Sequence, residues 1–169
     1  MTLLDFRKDY DPYFQVYLDL INPQEKMFDL LETNKTLVVD FFKGIPEKKY
    51  KYRYANDKWS IYQILQHITD TERIFCYRAL RIIREDQPQI TPYDHNAYAN
   101  SYLSEDKETL IEEYTTCRKL TILFYKSLLG KQLKDFTVYN SYKLYASLIP
   151  FICCGHELHH INILKERYL

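Results

Sequence analysis

Glycine is scarce in this chain, with three in 169 residues, beside six prolines. A fold with many tight hairpins needs glycine at its turns, so the shortage argues against that architecture. An excess of either charge is also missing. The 23 Lys and Arg balance the 23 Asp and Glu, which leaves no electrostatic footprint for nucleic acid or an anionic membrane surface. No apolar run approaches the ~20 residues of a membrane-spanning helix. The opening MTLLDFRKDYDP breaks any signal-peptide core with charges, so a cytoplasmic location is expected, where thiols stay reduced. Cys76, Cys117, Cys153 and Cys154 form no C-x-x-C pair and read as buried thiols. Repeats, low-complexity tracts and flexible linkers are lacking as well. A single domain over residues 1–169 is the expectation.

What is present is helical periodicity. Phe6, Tyr10, Tyr13, Phe14, Tyr17 and Leu18 suggest a short helix with irregular flanks over roughly 5–20. Asn22 is a suitable cap and Pro23 a suitable first residue for the next helix. Met27, Leu30, Leu31, Leu37, Val38, Phe41 and Phe42 recur along it, and Gly44 and Pro46 end it. Ser60 with Gln63 makes a capping box, flanked by Trp59 and Ile64 as a hydrophobic staple. The helix that follows carries one apolar stripe from Ile61 to about Arg84. Residues 85–103 read as a long polar loop of the kind that often carries function. Ser104 is the expected cap of a helix running to about Leu129 and stopping at Gly130. Residues 131–146 carry no clear pattern, and a last helix starts near Ser147, with Pro150 in its first turn, and reaches about Arg167. Four amphipathic helices predict an all-α fold, most simply a four-helix bundle.

The last helix contains His156-Glu157-Leu158-His159-His160, the H-E-x-x-H pattern of zinc peptidases. His156 and His160 are one turn apart and chelate from one face. His159 lies about 100° away and should not join them. A peptidase needs a third ligand downstream, but only INILKERYL follows, and Glu166 stands almost two turns on. The third ligand must come from upstream, from His67 in mid-helix or His95 in the 85–103 loop. His67 lies among Ile64, Ile68 and Thr71 on the inward half of its helix. Three inward histidines on two helices are costly unpaired, and a shared cation satisfies all three.

KWSIYQILQHITDTERIFCYRALR followed by GHELHHINILKERYL resembles the DinB-like superfamily, the DinB/YfiT-like metal-binding proteins, and the resemblance spans nearly the whole chain. RKDYDPYFQVYLDLINP is similar to the N-terminal segment of one branch, and TPYDHNAY stands where relatives have a Pro-x-x-Asp-Glu-Asn-like loop. The resemblance implies a four-helix bundle with an unusual helix order, often dimeric. It also implies a divalent metal ion, commonly nickel or zinc, on three histidines, here His67, His156 and His160. Characterised relatives include S-transferases and an isomerase that use low-molecular-weight thiols. His95 departs from the family's loop, where an acidic residue is common. It remains open as a further ligand, a proton shuttle or a solvated side chain.

Three neutral imidazoles on a divalent cation leave positions open for water or a thiol. The leading expectation is a metal-dependent, thiol-dependent S-transferase acting on a small-molecule substrate. A metal-dependent hydrolase and a non-catalytic metal-stabilised bundle are the alternatives. Glu157 and Asp94 are the candidate acid–base residues, and Asp70 is a further partner for an imidazole. Cys153, three residues before His156, is a candidate fourth ligand, with core packing the favoured role. Neither a nucleic-acid nor a membrane partner is expected; a homodimer is.

Overall fold

The computed structural model describes residues 1–6, 9–101 and 104–169. Four long helices make a bundle: α2 (Met27–Gly44), α3 (Ile61–Arg84), α5 (Lys107–Lys126) and α6 (Ile149–Arg167). Two short helices, α1 (Gln15–Leu18) and α4 (His95–Asn100), and a hairpin of β1 (Phe136–Tyr139) and β2 (Tyr142–Tyr145) complete it. Packing runs in a ring, α2 on α5, α5 on α3, α3 on α6, and α6 on α2. The consecutive helices α2 and α3 therefore lie across the bundle's diagonal. That order sets α3 beside α6, the two helices that carry the expected metal ligands. None of the described helices is long and apolar enough to cross a membrane.

Helix α3 starts as expected. Ser60 Oγ accepts from Gln63 N at 3.3 Å, and Gln63 Oε1 accepts from Ser60 N at 2.9 Å. Gln63 Nε2 also donates to Ala99 O at 2.7 Å, which fastens α4 to the start of α3. The other boundaries differ. Asn22 does not cap α2. Its Oδ1 accepts from Gln24 N at 3.0 Å in a local turn, and the helix begins at Met27, behind Lys26. Short polar side chains favour such turns as readily as caps, and here the turn wins. Asp106, rather than Ser104, caps α5, accepting from Thr109 N at 3.2 Å. A carboxylate there also meets the positive end of the helix dipole, while Ser104 Oγ accepts from Asp106 N. The helix ends at Lys126, short of Leu129.

Residues 85–103 hold a helix within the expected loop, because Asp94 Oδ1 accepts from Ala97 N at 2.9 Å and caps α4. Tyr102 and Leu103 of that stretch lie outside the described residues, as do Arg7 and Lys8 of the opening segment. That segment comprises two 3-10 turns and the single turn of α1. The unpatterned stretch 131–146 contains the antiparallel hairpin, with Phe136 opposite Tyr145 and Tyr139 opposite Tyr142. Asn140 and Ser141 make its turn at φ of 51° and 68°. Asparagine takes the left-handed conformation most readily after glycine, so a glycine-poor sequence still closes one tight hairpin.

One glycine is fixed by a close approach. A Cβ on Gly155, inside α6, would stand 2.2 Å from Tyr17 O. The backbone of α1 thus rests directly on α6, and the gap between them has no room for a methyl group. Gly155→Ala is expected to lower stability by about 1–3 kcal/mol and to shift α1 off α6. Urea unfolding with Tyr17 as a probe in NMR spectra checks both; an unchanged Tyr17 environment refutes it.

The centre of the bundle is polar at one point. The Arg118 side chain on α5 is fully buried. Its Nε donates to Glu72 Oε1 on α3 at 2.7 Å, and its Nη1 to Leu31 O on α2 at 3.1 Å. Its Nη2 donates to Glu157 Oε1 on α6. Asn34 on α2 donates to the other oxygen of Glu157. Burial pushes the Glu157 carboxyl up to about 7, and the Arg118 guanidinium pulls the other way. Removing the cation strands two carboxylates in the core. Arg118→Met is expected to cost about 3–5 kcal/mol, read from denaturant midpoints, with Glu157→Gln costing less. Equal loss from both variants would contradict the arrangement.

Candidate metal centre

Helices α3 and α6 bring three imidazoles to one point. His67 Nε2 lies 3.1 Å from His156 Nε2, and His160 Nε2 lies 3.0 Å from the same atom. Among the described residues this is the one cluster of three metal-ligating side chains, with all ligand atoms within 4.8 Å of one another. The local cause is helix geometry. Residues 156 and 160 stand one turn apart on α6 and present their rings side by side, with centroids 4.5 Å apart. The ring of His67 meets them at centroid distances of 5.0 and 4.9 Å.

The set fits a divalent cation. Ligands held at about 2.0–2.1 Å with tetrahedral or octahedral angles are roughly 2.9–3.4 Å apart, and the two nitrogen separations fall in that range. Burial, with a smaller contribution from the neighbouring imidazole of His95, holds His67 down to about 4. Burial, then the other histidines, hold His156 and His160 well below the usual range. All three are neutral near pH 7, which is the form that ligates a metal. Nitrogen donors of this softness suit zinc, nickel and similar transition ions better than calcium or magnesium.

The cluster forms part of the wall of a cavity of about 430 Å³, within the usual range for small-molecule sites. Helix α3 contributes His67, Thr71, Phe75 and Arg78, positions that repeat at helical spacing on one face. Trp59 lies against the rings, 4.7 Å from His67 and stacked at 6.4 Å on His160. The N-terminal segment supplies Tyr13, Phe14 and Tyr17, and the hairpin supplies Tyr139. Asp9 accepts from Lys143 Nζ and Tyr145 Oη, and Asn140 donates to Asp11 Oδ2, so the hairpin and that segment are tied together over the cavity. Tyr93 lines it too, its hydroxyl 2.7 Å from Thr71 Oγ1.

His159 lines the cavity but stands outside the three-nitrogen cluster. His95 also lines it, its ring 6.2 Å from that of His67. Asp94 is occupied as the α4 cap and is not among the cavity's lining residues. Glu157 points into the core instead, about 100° around α6 from His156, and is bound to Arg118 and Asn34. Asp70 accepts from Gln66 and Arg73. Cys153 is buried in the apolar core, where burial raises its thiol well above the usual range. Sequence reasoning missed Tyr17, Tyr93, Tyr139 and Arg78. Of these only Arg78 left a signal, since it shares the α3 face of His67.

The larger clefts along α3 and α5, about 690 and 650 Å³, contain no comparable cluster, so chemistry rather than size singles out the histidine cavity. The fold is similar to that of YfiT from Bacillus subtilis, described as a probable metal-dependent hydrolase with an unusual four-helix bundle topology. The TM-score is 0.71 at 16% sequence identity, over 86% of this chain and 90% of that one. Comparison with curated proteins gives no match. The DinB superfamily model matches residues 30–164. With four-fifths of its length covered by that match, the chain belongs to the DinB superfamily.

Proposed function

We propose that this chain is a metal-dependent enzyme that joins a low-molecular-weight thiol to a small electrophile. One observation carries the reading: three neutral imidazoles converge on a cavity that no carboxylate lines among the described residues. A cation on three histidines can ionise either water or a thiol. The thiol is intrinsically far the more acidic of the two, so it needs no carboxylate base on the wall. A divalent cation on His67, His156 and His160 would supply that Lewis acidity. Trp59, Tyr17 and Phe75 offer apolar surface for the electrophile and limit water. Tyr93, whose hydroxyl burial keeps protonated, is held by Thr71 to donate to an oxygen on the electrophile. The thiol gives its proton to solvent, its sulfur forms a bond to the electrophilic carbon, and the bond from that carbon to the leaving group breaks. The leaving group keeps the electron pair and, where it is an oxygen, accepts a hydrogen bond or proton from Tyr93.

The second reading is a hydrolase, favoured by the description of YfiT. Turnover separates the two. Metal-loaded protein is assayed with a panel of thiols against epoxides and haloaromatics, and separately with esters and amides. Thioether formation that needs both metal and thiol supports the first reading. Thiol-independent hydrolysis supports the second. Thermal stabilisation by metal with neither activity leaves a non-catalytic bundle.

Metal uptake is the prior test. Zinc or nickel is expected to bind at one ion per chain, and His160→Ala to weaken binding by more than about 100-fold, measured by calorimetry. No uptake of either ion, or full affinity in the variant, overturns the assignment. The depressed histidines set the pH dependence. Three rings titrating at the ordinary value of about 6.5 would lose roughly 50-fold in affinity between pH 7.5 and 6, because protons compete for each nitrogen. Rings already neutral at pH 6 lose little over that interval, and affinity falls only as pH drops toward 4. Chelator competition at the two pH values distinguishes these slopes.

A further inference from the structure

The histidine cavity has a second polar end. Arg78 lines it from α3, eleven residues beyond His67 and on the same helix face. Its Nη2 donates to Thr91 O at 2.8 Å, and its guanidinium lies 5.1 Å from the centre of the Phe75 ring. One hydrogen bond uses one of five N–H donors. Arg73, Arg81, Arg118 and Arg167 each pair with a carboxylate; among the described residues Arg53, Arg78 and Arg84 show none, and of these three Arg78 is the one that lines the cavity. Burial lowers its pKa, and no carboxylate is among the neighbouring groups that oppose this. A half-buried cation without a counter-charge, opening on a cavity whose other charged centre would be a metal, is a receptor for an anion.

The spacing limits what fits. Eleven residues rise roughly 16 Å along a helix, and a long side chain leans back toward the helix N-terminus, here toward His67. Between the two ends lie the Thr71–Tyr93 hydroxyl pair and aromatic walls. We propose that Arg78 is the anion-binding end of this cavity, and that its ligand is an elongated thiol carrying a carboxylate about 8–12 Å from the sulfur. This rests on the thiol-transfer reading above for the sulfur end, and on Arg78 alone for the other.

Two probes of equal length test it: 8-mercaptooctanoate and 8-mercaptooctan-1-ol. Each is titrated into cobalt(II)-loaded protein, where thiolate-to-cobalt charge-transfer absorption reports sulfur arrival at the histidines. Calorimetry on the same samples reports binding whether or not sulfur reaches the metal. The wild type is expected to prefer the carboxylate by about tenfold or more. Arg78→Gln should bind both probes equally, at the affinity of the alcohol. Arg78→Lys, which keeps the charge, should retain part of the preference, and thermal melting confirms that both variants fold. Equal affinity of the two probes for the wild type overturns the proposal. So does an unchanged preference in Arg78→Gln. A carboxylate preference by calorimetry that needs Arg78, without any charge-transfer band, upholds the anion site and overturns the thiol.

Discussion

A single guanidinium holds the register of this bundle. Arg118 leaves α5 and reaches a carbonyl of α2, a carboxylate of α3 and a carboxylate of α6, so all four long helices meet at one side chain. Apolar packing between helices tolerates sliding, since one leucine fits a groove much as another does. A buried charge does not, because each hydrogen bond lost leaves a desolvated group without a partner. The clamp adds specificity of alignment to a core whose stability comes mainly from its apolar residues.

That alignment is what makes the histidine cluster. On α6 the clamp residue Glu157 directly follows His156, and on α3 the clamp residue Glu72 directly follows Thr71, one turn beyond His67. Each helix turns one side to the clamp and the adjacent side to the cavity. Fixing Glu72 and Glu157 on Arg118 therefore fixes how far α3 can slide along α6, and with it the 3.1 Å approach of His67 to His156. Glu157 shapes the site without lining it.

The sequence was legible where the signal is local. The capping box of Ser60 and Gln63 involves residues three apart, and the pairing of His156 with His160 needs only one helical turn. His67 was within reach because two imidazoles on one helix demand a ligand from elsewhere. Legibility failed where one residue type serves two purposes. Asn22 can cap a helix or close a turn, and Glu157 after His156 imitates a peptidase base. It failed again where partners are distant in sequence. Arg118 reads as an ordinary charge on a helix until Glu72 and Glu157, 46 and 39 positions away, come into view. The hairpin escaped because Asn140 and Ser141 lack the glycine that marks such turns, and the aromatic walls because three separate segments build them.

His67 and His156 stand 89 positions apart, and each sits on a helix that other contacts hold. Bringing such distant points together costs about 4 kcal/mol of loop-closure entropy. A cation shared between α3 and α6 would act as a crosslink that spans this loop, of the kind a disulfide makes, yet one removable by a chelator. The chain has four thiols and no disulfide among them. Its one crosslink would then be set by the supply of metal rather than by the redox state around it, and the lifetime of the folded protein would follow that supply.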